Sequence, residues 1–345
     1  MSTTAVGNLG GVASPETLAS HIGVSVLAMG GNAIDAAVAI GFALAVTFPS
    51  AGNIGGGGFL LYRHPSGRNV AIDFRETAPA MATSDMYLNA DGKVMSGDGG
   101  PVDGYRACGV PGSVAGFELA WMRYGSGRIP WSKLVDPAVQ LASGGFSMPH
   151  SLQRSLSLSM DRISTDRSFQ AMFLNKSIVG WQPQRTGTTI RQPRLGETLA
   201  RIRDRGAIDF YAGTTARLLA ADIERSGGML LSTDLAGYQA VRRKPLSGRF
   251  MDYQILTMPP PSSGGIALLQ MLGMLEMCHP LPAAYSPAYI HLVAQAMRRA
   301  FRDRSEYLGD ADFVDVPVDA LVSRRHIASL KQGLSVAMKV KTDDL

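Results

Sequence analysis

Glycine falls in tight clusters along this chain, at Gly10-Gly11, Gly30-Gly31, Gly55 to Gly58 and Gly264-Gly265, and these clusters constrain the fold more than any other feature. Without a Cβ, glycine allows turns and backbone approaches closed to other residues. Glycine pairs between apolar runs mark sharp turns joining packed elements rather than a flexible linker. The stretch after the second pair, Ala36 to Phe48, is uncharged and largely apolar and ends at Pro49. It falls short of the ~20 residues a membrane-spanning helix needs, so it reads as a helix buried on all sides.

The elements around it follow from local chemistry. Ser14-Pro15 offers a cap and a first-turn proline, predicting a helix to Met29 that stops at Gly30-Gly31. Asn32, with Asp35 three residues on, is a variant capping box for the buried helix. Phe59 to Tyr62 and Asn69 to Phe74 read as a β-hairpin across His64-Pro65-Ser66-Gly67. Helices are predicted over Val114 to Tyr124, Trp131 to Ser143, Leu195 to Arg205, Thr214 to Ser226, Ile266 to Cys278 and Pro287 to Tyr307, with a short capped turn over Thr233 to Tyr238. Pro149 to Arg191 is polar and weakly patterned and reads as short surface helices. Val241 to Phe250 and Tyr253 to Met258 read as paired strands leading into the rigid loop Pro259 to Gly265. With no repeat and no linker, residues 1–345 read as one α/β domain.

The formal charge of +5 raises nucleic acid as a partner, but the basic residues are scattered. Arg242-Arg243-Lys244 is the densest run, and Arg298, Arg299 and Arg302 share a helix with Asp303 and Glu306, which suits a solvated salt-bridged face. No nucleic-acid partner and no membrane span are expected. Cys108 and Cys278 are the two cysteines; they match no zinc spacing, and whether they form a bridge is open. Met1 is followed by neither a basic start nor an apolar core, so no signal peptide is visible.

Most catalytic signatures fail. The glycine run is neither a P-loop nor a dinucleotide fingerprint, and there is no nucleophile elbow and no zinc-protease helix. The six histidines are dispersed. Ser262-Ser263 before Gly264-Gly265 could form an anion nest or simply a stiff connector that positions the next helix. The sharper signal is Arg75, in Asp73-Phe74-Arg75-Glu76-Thr77-Ala78-Pro79, shortly after Asn53-Ile54-Gly55-Gly56-Gly57-Gly58-Phe59. Its planar fork of donors matches a carboxylate two bonds at a time, which suits a small acidic substrate; a local pair with Asp73 or Glu76 is the structural alternative.

Several stretches, taken in order, resemble the large subunit of γ-glutamyltranspeptidase, the glutathione hydrolase family. They are Val12-Ala13-Ser14-Pro15, Gly30 to Ala37, Gly52 to Phe59, Asp73 to Pro79, Gly109-Val110-Pro111-Gly112-Ser113-Val114-Ala115-Gly116, Met258 to Gly265 and Arg302 to Asp310. The resemblance implies an N-terminal nucleophile hydrolase with a four-layer αββα sandwich, made as a precursor that cleaves itself into two subunits. It implies glutathione and other γ-glutamyl compounds as substrates, amino acids or dipeptides as acceptors, and no cofactor or metal. Arg75 falls on the family's arginine that grips the α-carboxylate of the γ-glutamyl group.

The family's nucleophile is a threonine at the start of the small subunit, within a Thr-Thr-x-x-Ser-Val-Val-Asp-like segment that this sequence lacks. Thr3-Thr4, Thr188-Thr189 and Thr214-Thr215 do not have that context. The expectation is therefore a large-subunit portion with no catalytic residue of its own, inactive alone and dependent on the small subunit of the same precursor. By resemblance the location is periplasmic or extracellular, and without a visible signal the cytoplasm stays open. The alternatives are a cephalosporin or glutaryl acylase, a poly-γ-glutamate-cleaving relative, or a truncated binding protein without activity.

Overall fold

The computed structural model of the chain describes residue 7 and residues 10–97 and 99–335; Thr3-Thr4 and the rest of the opening segment read for a signal peptide lie outside the described residues. The chain gathers into two compact units, one formed through Gly58 and again over Asp73–Val241, the other by Phe59–Ile72 and from Arg242 onward.

The first unit is mainly helical. Its opening helix runs Thr17–Ala28, starting later than Ser14-Pro15 predicts, because Glu16 is the cap: its carboxylate accepts from the Ala19 amide at 3.0 Å. Ser14 instead engages the Ser20 hydroxyl at 2.7 Å and the Glu16 carbonyl. The chain turns at Gly30, whose φ of +88° is the left-handed region that glycine tolerates. The capping box forms as read: Asn32 accepts from Ile34 and Asp35, and Asp35 accepts from the Asn32 amide. Asp35 is fully buried and also accepts from the Ser126 amide at 3.0 Å, tying this corner to the end of a later helix.

The helix Ala33–Thr47 is buried, with Val38, Ala39, Phe42, Ala43 and Val46 fully enclosed. Phe42 meets Phe117 edge-on at 5.1 Å and Trp131 at 5.3 Å, and Phe117 in turn meets Phe74 at 5.8 Å. Such edge-to-face pairs add about 0.5–1.5 kcal/mol each beyond simple burial. Phe117 lies on the helix Ser113–Tyr124 and Trp131 opens the helix Trp131–Gly144, so one aromatic cluster pins three helices and the residue before Arg75. Trp131 completes its burial by donating to the Ile202 carbonyl on the helix Pro193–Arg205.

Between these helices and Pro193, the polar stretch holds the short helices His150–Leu158, Met160–Ile163 and Arg167–Phe173. It also holds strand pairs the sequence does not announce: Leu174–Ser177 with Gly180–Pro183, and Phe146–Ser147 with Thr189–Ile190. Only Leu174 of the first pair is buried, so no apolar alternation marks the hairpin.

In the second unit the predicted hairpin forms from Phe59–Arg63 and Asn69–Asp73, with Gly67 at φ +83° in its turn. Val241–Arg243 joins it as the third strand of the sheet. The single strand expected from Val241 to Phe250 is thus two, interrupted before Leu246–Phe250, which pairs antiparallel with Tyr253–Thr257 in a separate sheet. Pro245, with no N–H to give a ladder and a fixed φ, explains the break.

Helices Gly264–Glu276 and Pro287–Tyr307 pack through Ala267, Met274, Ala296 and Ala300, with Ile327 and Leu330 closing the cluster. A polar thread crosses this core: Gln270 donates to Asp303 at 2.8 Å, and His326 meets the same carboxylate at 2.5 Å. Within the basic run, Arg243 forks onto Asp312 at 2.9 and 2.6 Å. Among the described residues no helix is long and apolar enough to cross a membrane, and no group of metal-ligating side chains gathers.

Candidate functional site

Three of the motifs singled out above converge within the first unit. The glycine run approaches the Arg75 segment closely enough that Gly58 and Phe74 exchange backbone hydrogen bonds at 3.1 and 3.0 Å. A Cβ on Gly57 would stand 2.3 Å from the Phe74 carbonyl oxygen and 2.9 Å from the Arg75 Cα, so no other residue fits there without moving the backbone. On its other side the run meets the Gly109 to Gly116 motif. The Gly56 carbonyl accepts from both Gly112 and Ser113, at 2.8 and 3.0 Å, at the start of the helix Ser113–Tyr124. Thr77 and Val110 form an antiparallel bridge, at 3.2 and 2.8 Å.

The result is an open cleft of about 880 Å³ lined by Arg75, Glu76, Asn53, the loop Thr77 to Pro79, Met86, Tyr87 and the segment Ala107 to Gly109. Arg75 is exposed to it, while the neighbouring Asp73 and Phe74 are buried. Asp73 accepts the Arg75 amide at 3.0 Å, so this carboxylate serves the backbone of Arg75. The Arg75 carbonyl accepts from the Tyr238 hydroxyl at 2.8 Å. Tyr238 stacks on Tyr211, with ring centroids 5.7 Å apart and planes 11° apart. Burial, and then the nearby Tyr211, Asp73 and Glu76, push the Tyr238 hydroxyl's pKa up, so it stays an O–H donor. Tyr238 carries no sequence signal: it reads only as the end of a short helix, and the contact spans 163 residues.

The bridge between Cys108 and Cys278 that the sequence leaves open does not form: both thiols are free, and Cys108 lies on the cleft wall. Burial pushes the Cys108 thiol up, which disfavours the thiolate a nucleophile needs. The threonine pairs are elsewhere. Thr189 lies in a short strand, and Thr215 donates its hydroxyl to the buried Asp209 at 2.6 Å. Of the serine pair before Gly264, Ser263 accepts from Arg304 at 2.9 Å. A Cβ on Gly265 would lie 2.0 Å from the Met258 carbonyl, which is the close packing of a connector.

The family model for Gamma-glutamyltranspeptidase matches residues 19–342. The chain belongs to the gamma-glutamyltranspeptidase family. It is 42% identical over 329 residues to the glutathione hydrolase proenzyme of Escherichia coli K12, an alignment covering 95% of this chain and 55% of that protein. The chain thus spans about half the length of the curated relatives it matches, as a large-subunit portion would. Among solved structures it is similar to the Helicobacter pylori gamma-glutamyltranspeptidase at 41% identity and a TM-score of 0.92, over 99% of this chain and 96% of that one. It is also similar to the Pseudomonas nitroreducens gamma-glutamyltranspeptidase complexed with L-DON, at 37% identity and a TM-score of 0.90, over 98% of each chain. The mixed α/β fold expected from the sequence is therefore the fold of this family, that of N-terminal nucleophile hydrolases.

Proposed function

We propose that this chain is the large-subunit half of a γ-glutamyltranspeptidase, and that Arg75 holds the α-carboxylate of a γ-glutamyl group in the cleft beneath the glycine run. The observation that carries the proposal is Arg75 itself: an exposed arginine lining a cleft of about 880 Å³, its backbone fixed on both sides by Asp73 and Tyr238. Arginine's rigid fork selects a planar anion over a neutral group, which favours an acyl group bearing a free carboxylate.

The substrates are glutathione and related γ-glutamyl amides. The nucleophile is a threonine supplied by the remainder of the precursor, whose free α-amine takes the proton as the hydroxyl attacks the γ-carbonyl. The amine of the leaving peptide departs, a γ-glutamyl ester remains on the threonine, and water, an amino acid or a dipeptide resolves it. The partner is the small subunit of the same precursor, and the enzyme works in the periplasm or outside the cell. An acylase whose acyl group carries no carboxylate would not call for such an arginine at this position, whereas a glutaryl group, which keeps the carboxylate and lacks only the α-amine, would.

The test is release of chromophore from a γ-glutamyl anilide by this chain co-produced with the second half of its precursor, with and without Arg75→Ala. Loss of a charged bidentate contact is expected to cost about 2–4 kcal/mol in kcat/KM, roughly 30- to 1,000-fold, expressed mainly in KM. An unchanged KM removes Arg75 from the site.

A further inference from the structure

The loop from Arg75 to Ala80 has open space on two sides. Thr77 and Ala78 line the substrate cleft, and they also line a second hollow of about 300 Å³ together with Asp234 and Tyr238. The Thr77–Val110 bridge holds the middle of this loop, and one further bond holds each of its ends. Both come from one short helix, Ser232–Gly237, and the residue after it. At the near end Tyr238 donates to the Arg75 carbonyl at 2.8 Å; at the far end Asp234 accepts from the Ala80 amide at 2.9 Å.

The Tyr238 hydroxyl is itself held in place. Its ring stacks on Tyr211, which is buried, donates to the Pro111 carbonyl at 2.9 Å and accepts from the Ala115 amide at 3.1 Å. On the other side is Gly112, where a Cβ would come within 2.1 Å of the Tyr238 oxygen. The hydroxyl therefore has one place to be, and its donor is aimed at Arg75.

Resting on the assignment of Arg75 to the substrate carboxylate, we propose that Tyr238 is a positioning residue for that arginine, fixing the origin of its side chain so that the guanidinium meets the carboxylate without first ordering that end of the loop. Locating a binding group before the ligand arrives removes an ordering cost from the binding step. The consequence falls on substrates that carry the carboxylate and leaves the chemistry at the scissile carbonyl alone.

The decisive variant is Tyr238→Phe in the assembled enzyme, which keeps the stacked ring and removes only the donor. For a γ-glutamyl anilide KM is expected to rise about 3- to 10-fold, the worth of one neutral hydrogen bond, with kcat within about twofold of wild type. For a 4-aminobutyryl anilide, which lacks the α-carboxylate, the variant and wild type should behave alike. In an Arg75→Ala background Tyr238→Phe should add nothing further to KM, because the group it positions is gone. Asp234→Ala, which frees the far end of the loop, should give the same carboxylate-dependent rise and stands in should Tyr238→Phe fold poorly.

A KM that stays within about twofold in both variants while Arg75→Ala raises it overturns the positioning role and leaves the Arg75 assignment intact. An equal loss on both anilides also overturns it, marking Tyr238 as a general structural support. If Arg75→Ala leaves KM unchanged, the Arg75 assignment fails first and the positioning role falls with it.

Discussion

Gly57→Ala tests how tightly the glycine run and the Arg75 segment are locked together. The new Cβ would lie 2.3 Å from the Phe74 carbonyl oxygen, about 1.1 Å inside the 3.4 Å at which ordinary contact begins, with the Glu76 amide at 2.8 Å and the Arg75 Cα at 2.9 Å. All three obstacles are backbone atoms, so no rotamer change relieves them. The two segments must separate by about an ångström, which overpacking of a rigid site prices at about 1–3 kcal/mol. That separation also lengthens the paired Gly58 and Phe74 hydrogen bonds, now 3.1 and 3.0 Å, at about 1 kcal/mol each if lost. The expected destabilisation is about 2–4 kcal/mol. Urea unfolding followed by tryptophan fluorescence reports it directly, since Trp131 contacts Phe42 in the aromatic cluster that Phe117 extends to Phe74. Gly55→Ala is the control within the same run: a Cβ there meets nothing within 4 Å, and the expected change is under about 0.5 kcal/mol. If the two variants unfold at the same urea concentration, the close approach does not govern stability and the reasoning fails.

Two further outcomes follow from titratable groups in the same unit. Burial works to raise the pKa of Asp209, but hydrogen bonds from the Thr215 hydroxyl and the Thr214 and Thr215 amides, with Arg201 nearby, outweigh it and hold the carboxyl below the usual range. A depressed folded pKa gives stability that is complete above the unfolded value near about 3.9 and drains away as pH falls through the folded one, so urea midpoints should drop below about pH 4. Asp209→Asn should cost about 2–3 kcal/mol at neutral pH and flatten that acid limb; an unchanged acid limb would refute the assignment. Cys108, on the cleft wall with its thiol pushed up by burial, should react slowly with an aromatic disulfide reagent at neutral pH and keep accelerating above about pH 9. The adduct should raise KM for a γ-glutamyl anilide, and Cys108→Ala should abolish the effect; a labelled enzyme with unaltered KM puts Cys108 away from the bound substrate.

What the sequence discloses depends on the range of the interaction. The capping box at Asn32 is chemistry among residues three apart and forms as read, whereas the cap read at Ser14-Pro15 is displaced by Glu16 two residues on. The hairpin from Phe59 carries its turn residues in line. The strand pair from Leu174 does not show, because with only one buried residue its stability draws on neighbours rather than on its own alternation. Pro245 should have divided the long strand in advance, since its missing N–H is a local fact.

The site follows the same division. Glycines at Gly57 and Gly112 say that backbone passes close by, and the sequence can say no more; the structure supplies the partner, which in both cases is the Phe74 carbonyl of the Arg75 motif. Arg75 announces the class of its ligand through the geometry of its own side chain. Tyr238 announces nothing, because a tyrosine hydroxyl bonded to a carbonyl 163 residues away has no periodicity or neighbour to betray it. A residue that binds is therefore easier to read from sequence than one that positions. The first carries its chemistry with it; the second is defined only by which peptide group the fold brings within 2.8 Å of its oxygen.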